Sequence, residues 1–303
     1  LENYAPGVMD RLGVGWDALK KINPQLIYCS GTGYGLSGPD KDLLAMDHTI
    51  QAASGVMSVT GDADSPPSRA GGTPCDIMGG IHMYAGALAA LQGLNATNRG
   101  TRVEVSMLES MYFTLSSELS VYHATGDIPP RNSARTPSNV CPYGRYPCKD
   151  GWVVIMCVAE AHWHSVLDVI GKSDERDNRD YRNSMARKKR EHLVDAMINA
   201  WTIERTRDEA YAELRANRIP VAPIKTLDEV RTDPHLHERG MLQYKTHELL
   251  GDVVLPSSPI RFSDFDSVDL EFYPEMGAHN EEVYAGLGLS PEDISHLKSA
   301  GVI

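Results

Sequence analysis

A chain of 303 residues, 42% apolar and 23% charged, has the composition of a globular protein with room for one large domain or two ordinary ones. Its net charge of −12, with no basic block longer than Arg187 to Arg190, argues against a general nucleic-acid binder. Any anionic ligand must be met by local basic residues. The five cysteines, Cys29, Cys75, Cys141, Cys148 and Cys157, form no CxxC pair and are odd in number, so reduced thiols are expected in place of a zinc site or disulfide framework. No apolar run approaches the roughly 18 residues of a membrane span and no signal-peptide pattern opens the chain. The expectation is a cytoplasmic protein with no membrane partner. The chain opens at Leu1 and not at an initiator Met, as a fragment would.

In chain order, Asn3 to Gly15 reads as a loop leading into a short helix that carries Asp10, Arg11 and Leu12. A polar helix follows over Trp16 to Ile22, then the breaker Asn23-Pro24 and a strand over Gln25 to Ser30. The loop GTGYGLSGP after that strand looks like a phosphate cradle but has neither a GKS/T ending nor a correctly spaced GxGxxG opening a helix. A turn at the carboxyl end of a strand is nevertheless where open α/β sheets place ligands. Asp47 to Val59 reads as one helix rich in small residues, and Asp62 to Pro74 as a loop.

The next stretch, GGTPCDIMGGIHMYAGALAALQGL, organises the chain. Ile77, Ile81, Tyr84, Ala85, Leu88 and Leu91 recur at helical spacing, which predicts a buried helix beginning near Asp76. A carboxylate at a helix N-terminus meets free N–H groups and the positive end of the helix dipole, which favour its ionised form. Capping is the ordinary role of such a residue, and a nucleophile is the alternative. Gly79, Gly80 and Gly86 each cost about 1 kcal/mol relative to Ala inside a helix, a cost understandable where another group approaches closely.

Arg102 to Ser106 alternates as a strand, Met107 to Gly126 reads as one long helix, and the unpatterned composition of Gly126 to Pro147 reads as a linker. A strand over Gly151 to Val158, a helix over His162 to Ile170, a charged and solvated segment over Ser173 to Arg190, and helices over Glu191 to Thr202 and Thr206 to Asn217 come next. Ile219 to Ile224 reads as a loop. Beyond Thr226 come a short helix, strands near Met241 to Thr246 and Asp252 to Leu255, and a last helix over Pro291 to Ala300.

Six segments in order, ENYAPGVMDRLGV, INPQLIYCSGTGYGLSGP, MDHTIQAASGVMSVTG, the Cys75-Asp76 helix start, IPVAPIKTLDEV and LPSSPIRFS, resemble the successive signatures of the family III CoA-transferases, the CaiB/BaiF group that includes formyl-CoA transferase. The resemblance runs from residue 1 to 303. It implies an α/β fold: a Rossmann-like large domain with a smaller inserted α/β domain, in a homodimer of interlocked rings. On that pattern residues 1–140 form the first part of the large CoA-binding domain with its linker, 141–222 the small domain, and 223–303 the return linker and the rest of the large domain. The family's usual strand–helix segment ahead of ENYAPG is then missing here.

By position, the resemblance makes Asp76 the catalytic aspartate. Asp47 falls where the formyl-CoA enzyme has a glutamate near the reacting centre, Met46 where it has a tyrosine, and Arg11 and Leu12 where it contacts the CoA nucleotide. A guanidinium suits that task because its planar fork grips phosphate oxygens in two places. The implied activity is CoA transfer from an acyl-CoA to a free carboxylic acid through an aspartyl-CoA thioester, with coenzyme A as substrate and no tightly bound cofactor. Backbone N–H groups of a Gly-rich loop would stabilise the oxyanions. The glycine run that closes over the aspartate in formyl-CoA transferase is absent from the corresponding Arg135 to Gly144, which argues against oxalate as acceptor.

Alternatives remain. The same fold hosts α-methylacyl-CoA racemases, whose paired bases are an Asp and a His; the His position is Met46 here, and His48 would point about 200° away on a helix. A non-catalytic CoA-binding chain is the third reading. Cys75 as a thiol nucleophile has no motif-placed His to activate it. His82 is expected near the core, and His162 and His164 on the small-domain surface.

Overall fold

The computed structural model describes residues 1–128, 130–131 and 140–303, which pack as two compact units, Leu1–Ile224 and Lys225–Ile303. The first unit opens with helices α1 (Val8–Arg11) and α2 (Trp16–Ile22) and strand β1 (Ile27–Thr32). Helices α3 (Asp47–Ala53), α4 (Val56–Val59) and α5 (Pro74–Thr97) then cross over to strand β2 (Thr101–Ser106). β1 and β2 are parallel, from Ile27 opposite Thr101 to Thr32 opposite Ser106, as a βαβ crossover requires. Glu2 runs alongside β1, its N–H donating to Cys29 O and its carbonyl accepting from Gly31 N–H, both at 2.9 Å.

The chain continues through α6 (Met107–Tyr112), a 3₁₀ turn over Phe113–Leu115 and α7 (Ser116–Thr125). The hydroxyl of Thr114 donates to Met111 O at 2.7 Å, a local bond that competes with regular helical pairing where the long predicted helix divides. The predicted helix over 47–59 is likewise two, because Gly55 adopts a left-handed φ of 87° between α3 and α4. Ile50, Val56, Cys75 and Met111 form the buried centre of this part.

A second core lies over residues 141–219. Strand β3 (Tyr143–Cys148) pairs antiparallel with β4 (Gly151–Met156), which pairs with β5 (Val221–Pro223). Two sequence expectations are corrected here: β3 occupies the end of the expected linker, and β5 lies within the expected loop at 219–224. Helices α8 (Glu160–Val169), α9 (Ser184–Lys188), α10 (Glu191–Thr202) and α11 (Arg207–Ala216) cover the sheet around the buried Trp163, Val166, Leu167, Val194 and Ile198.

The charged segment before α10 is not wholly solvated. Arg187 is fully buried: its Nε donates to Cys141 O at 2.6 Å, Nη1 to Glu160 Oε2 at 2.6 Å and Tyr181 O at 2.9 Å, and Nη2 to Glu160 Oε1 at 3.1 Å. A buried guanidinium is tolerated only with such partners, and the indole of Trp163 adds a π face 5.2 Å from it.

The second unit carries α12 (Leu227–Arg231), α13 (Pro234–Glu238), a hairpin of β6 (Leu242–His247) and β7 (Gly251–Pro256), α14 (Asn280–Gly286) and α15 (Pro291–Ser299). Thr226, Asp233 and Ser290 cap their helices, and His237 stacks on Tyr244 with ring centroids 4.5 Å apart.

α5 departs most from expectation. It begins at Pro74, with Thr73 preceding it, so Asp76 is the third helical residue. The predicted core stripe faces outward: Ile77, Ile81, Tyr84, Leu88 and Leu91 are exposed, and the buried positions are Cys75, Gly79 and Ala90. The face of small residues is the one packed inward. A Cβ on Gly86 would lie 2.7 Å from Val103 Cγ1 of β2, and one on Gly79 3.2 Å from Met107 Cγ. α5 is also long and apolar enough, by length and composition alone, to cross a bilayer, with a mean hydropathy of 1.2 over its most apolar 18 residues. The sequence expectation of no such run is corrected: interspersed Gly, His and Tyr leave enough Ala, Ile, Leu and Met to reach that value.

Candidate active site

The carboxyl end of β1, the start of α3 and the first turns of α5 converge on a cavity of about 660 Å³. Glycine makes the convergence possible. A Cβ on Gly33 would fall 2.0 Å from Ala45 Cβ, so the turn after β1 could not seat against Ala45 with a larger residue there, whereas one on Gly31 in β1 would meet only the flexible tip of Met83. That turn is held from β2 and α6. Leu36 N–H donates to Glu104 Oε1 at 2.6 Å, Ser106 Oγ to Gly33 O at 3.2 Å and Leu108 N–H to Gly33 O at 3.0 Å. Within it Gly35 N–H donates to Thr32 Oγ1 at 2.9 Å. The amides of Gly35 and Leu36 are therefore already engaged, which removes two of the N–H groups that a Gly-rich loop would offer an oxyanion.

Asp76 and Asp47 both line this cavity. The structure reassigns the capping role between them. Asp47 Oδ2 accepts Cys75 N–H at 2.8 Å and Asp76 N–H at 3.4 Å, so the free amides of the α5 terminus serve Asp47 and not the Asp76 carboxylate. The expectation that the terminus favours an ionised Asp76 is corrected accordingly. Burial and, second, the charge of Asp47 push the Asp76 carboxyl above the usual aspartate value. The Asp76 side chain is exposed and has no capping duty.

Cys75 is fully buried beside them. Burial first, then the charge of Asp47 and a hydrogen bond to it, push its thiol up to about 12. It stays protonated at neutral pH, which leaves the thiol-nucleophile reading without support. The charged side chains among the described residues that line the cavity are Glu2, Asp47 and Asp76, all acidic.

Arg11 and Leu12 are not among the described lining residues. Arg11 ends α1, with its guanidinium beside Gly7, and Leu12 is 64% exposed just after it. Met46 and His48 are both exposed, and Met46 but not His48 lines the cavity. His82 is half-buried, its ring 6.2 Å from Phe113 and its Nδ1 2.8 Å from Met78 O, while His162 is half-buried and His164 exposed. Residues 135–139 of the segment expected to lack a glycine run lie outside the described residues.

Sequence reasoning missed Gln51 and Glu104. Gln51 carried a readable signal, since it lies four residues after Asp47 on a predicted helix and so shares its face. Glu104 did not, because only the pairing of β1 with β2 places it beside the turn.

These elements define a class: an α/β protein in which two carboxylates, Asp47 and Asp76, meet in a cavity at the head of a long helix. The chain matches the CoA-transferase family III model over residues 1–280. It is 32% identical to a formyl-CoA:oxalate CoA-transferase of Streptomyces coelicolor, covering 100% of this chain and 77% of the relative. Against the succinyl-CoA–L-malate CoA-transferase beta subunit of Chloroflexus aurantiacus the identity is 29%, with coverage of 100% and 76%. A CaiB/BaiF family crystal structure from Brucella suis superposes with a TM-score of 0.81 at 30% identity, over 94% of this chain and 74% of that one. The protein belongs to CoA-transferase family III and is a CoA-transferase.

Proposed function

We propose that the protein moves CoA from an acyl-CoA thioester to a free carboxylic acid by way of Asp76. Its carboxylate attacks the thioester carbonyl, the C–S bond breaks, and CoA leaves as a thiolate from an acyl-aspartyl anhydride. The thiolate then attacks the aspartyl carbonyl, the anhydride C–O bond breaks, and the donor acid departs, leaving an aspartyl-CoA thioester. The acceptor carboxylate attacks that thioester and expels the thiolate, which attacks the acceptor's acyl carbonyl to release the new acyl-CoA and restore Asp76. A carboxylate suits every step because it conserves the thioester energy on a group of the same reactivity as the substrates.

The observation that carries this reading is the exposed Asp76 carboxyl in the cavity, with the terminal amides of α5 engaged by Asp47. Asp47 is the supporting carboxylate that holds the reacting end of the helix. A paired-base racemase needs a histidine facing the same centre, and none is among the described lining residues. Arg11 and Leu12 are assigned to the CoA nucleotide. Coenzyme A enters only as substrate, and the protein works as a cytoplasmic homodimer. The exposed row from Ile77 to Leu91 supports a protein-covered face on α5.

Incubation with acetyl-CoA, succinyl-CoA and formyl-CoA, followed by peptide mass spectrometry, is expected to find CoA or an acyl group on the peptide containing Asp76. Solvent deuterium at the α-carbon of a branched acyl-CoA, with no such adduct, would overturn the assignment in favour of racemization.

A further inference from the structure

Asp47 reaches the head of α5 from another helix, so something must fix its carboxylate. One turn further along α3, Gln51 is fully buried, and its Nε2 donates to Asp47 Oδ1 at 2.6 Å. Its Oε1 accepts Ala70 N–H at 2.9 Å. The orientation of the amide follows from its partners. A backbone N–H can only donate, so the oxygen must face Ala70 and the nitrogen is left for the carboxylate.

Four hydrogen bonds form a chain from the loop entering α5 at Ala70 through the Gln51 amide to Asp47 and on to the amides of Cys75 and Asp76. Gln51 uses one oxygen of Asp47 and leaves the other for the helix terminus, so neither contact competes with the other. A neutral amide also supplies a donor without adding charge beside two carboxylates. Lysine would donate equally well but would place a cation at a buried position, and leucine would leave both Asp47 Oδ1 and the Ala70 amide without a partner.

We propose that Gln51 is a positioning residue for the reaction at Asp76, holding Asp47 in the rotamer that grips the first turn of α5. The inference rests on the reading of Asp76 as nucleophile. Gln51 touches neither acyl group nor CoA; it acts through Asp47 on where the Asp76 carboxylate sits at the moment of attack, a placement to which rates are steeply sensitive.

The test compares the single-turnover rate of adduct formation on the Asp76 peptide, using acetyl-CoA and succinyl-CoA as probes, in three full-length chains. Gln51→Met removes both contacts. Gln51→Glu keeps an oxygen for Ala70 N–H and, once pH is raised far enough to ionise its buried carboxyl, sets a second carboxylate against Asp47, so this variant is followed from about pH 6 to 9. The expected result is a rate at saturating acyl-CoA at least about tenfold lower in the Met variant and in the Glu variant at the alkaline end of the range, with the half-saturating concentration within about twofold of wild type. Loss in the Met variant with a Glu variant that matches wild type at every pH across that range would show that only the Ala70 contact matters and would overturn the proposal. So would unchanged rates in both, and where the Glu variant does not fold the Met variant alone decides. Absence of an adduct in the wild-type chain would instead remove the nucleophile assignment itself, which keeps the two failures distinct.

Discussion

The carboxylate of Asp47 caps the helix that carries Asp76. Its Oδ2 lies 2.8 Å from the Cys75 amide and 3.4 Å from that of Asp76 itself, while the Asp76 side chain is left exposed in the cavity. One acidic residue thus does the structural work often given to the other. Asp76→Ala should therefore abolish CoA transfer and the covalent adduct while shifting stability by no more than about 0.5 kcal/mol, as exposed substitutions do. Transfer assays and a urea titration check both halves, and residual transfer in this variant would refute the nucleophile assignment.

Asp47→Ala should behave differently. Losing a cap costs about 1 kcal/mol, and the buried Gln51 amide left without its acceptor adds roughly another 1 kcal/mol. A urea midpoint equal to wild type would contradict the capping geometry.

The pH dependence follows from the same pair. Burial and the Asp47 charge hold the Asp76 carboxyl above its ordinary value, so the acid limb of adduct formation should fall above the usual aspartate range. Asp47→Asn removes the second of those causes while keeping the size of the side chain. The limb should move to lower pH, and a shift to higher pH would show that the two carboxyls do not interact as described.

The exposed Arg11 can be separated from the chemistry by kinetics. A charged hydrogen bond to phosphate is worth roughly 1.5–3 kcal/mol, so Arg11→Ala should raise KM for acyl-CoA about tenfold or more with kcat little changed. An unchanged KM would take Arg11 out of the CoA site.

Two glycines of α5 should respond to alanine with opposite signs. At Gly93 a Cβ would meet nothing within 4 Å, so Gly93→Ala should gain about 1 kcal/mol from helix propensity. At Gly86 the Cβ would lie 2.7 Å from Val103, and overpacking of about 1–3 kcal/mol should outweigh the same gain. Thermal melts of the two variants read the difference directly.

The elements at the heart of the site were legible. Helix, strand and Gly-rich loop in succession suggest an α/β unit and alternation in RVEVS marks a strand, and the structure pairs the two strands in parallel. The inward face of α5 was not legible, because a row of Ile, Tyr and Leu normally marks a core. Here the narrow gap to Val103 leaves no room for even a Cβ at Gly86, and that gap exists only once β2 is in place. The carboxylate that caps α5 was hidden for the same reason: Asp47 lies 29 residues before Asp76, and no local pattern links them. Gln51 alone carried a local clue, through its helical spacing from Asp47.

The basic run at 187–190 is one buried side chain followed by three on or near the surface. Lys188 pairs with Glu191 and Arg190 with Asp180, each still partly in solvent, whereas Arg187 is sealed against Cys141, Glu160, Tyr181 and Trp163. Trypsin must draw a basic side chain into its own specificity pocket before it cuts. In limited digestion of the native chain, cleavage within this run should fall after Lys188, Lys189 or Arg190, and a cut after Arg187 would mark molecules whose second core has already opened.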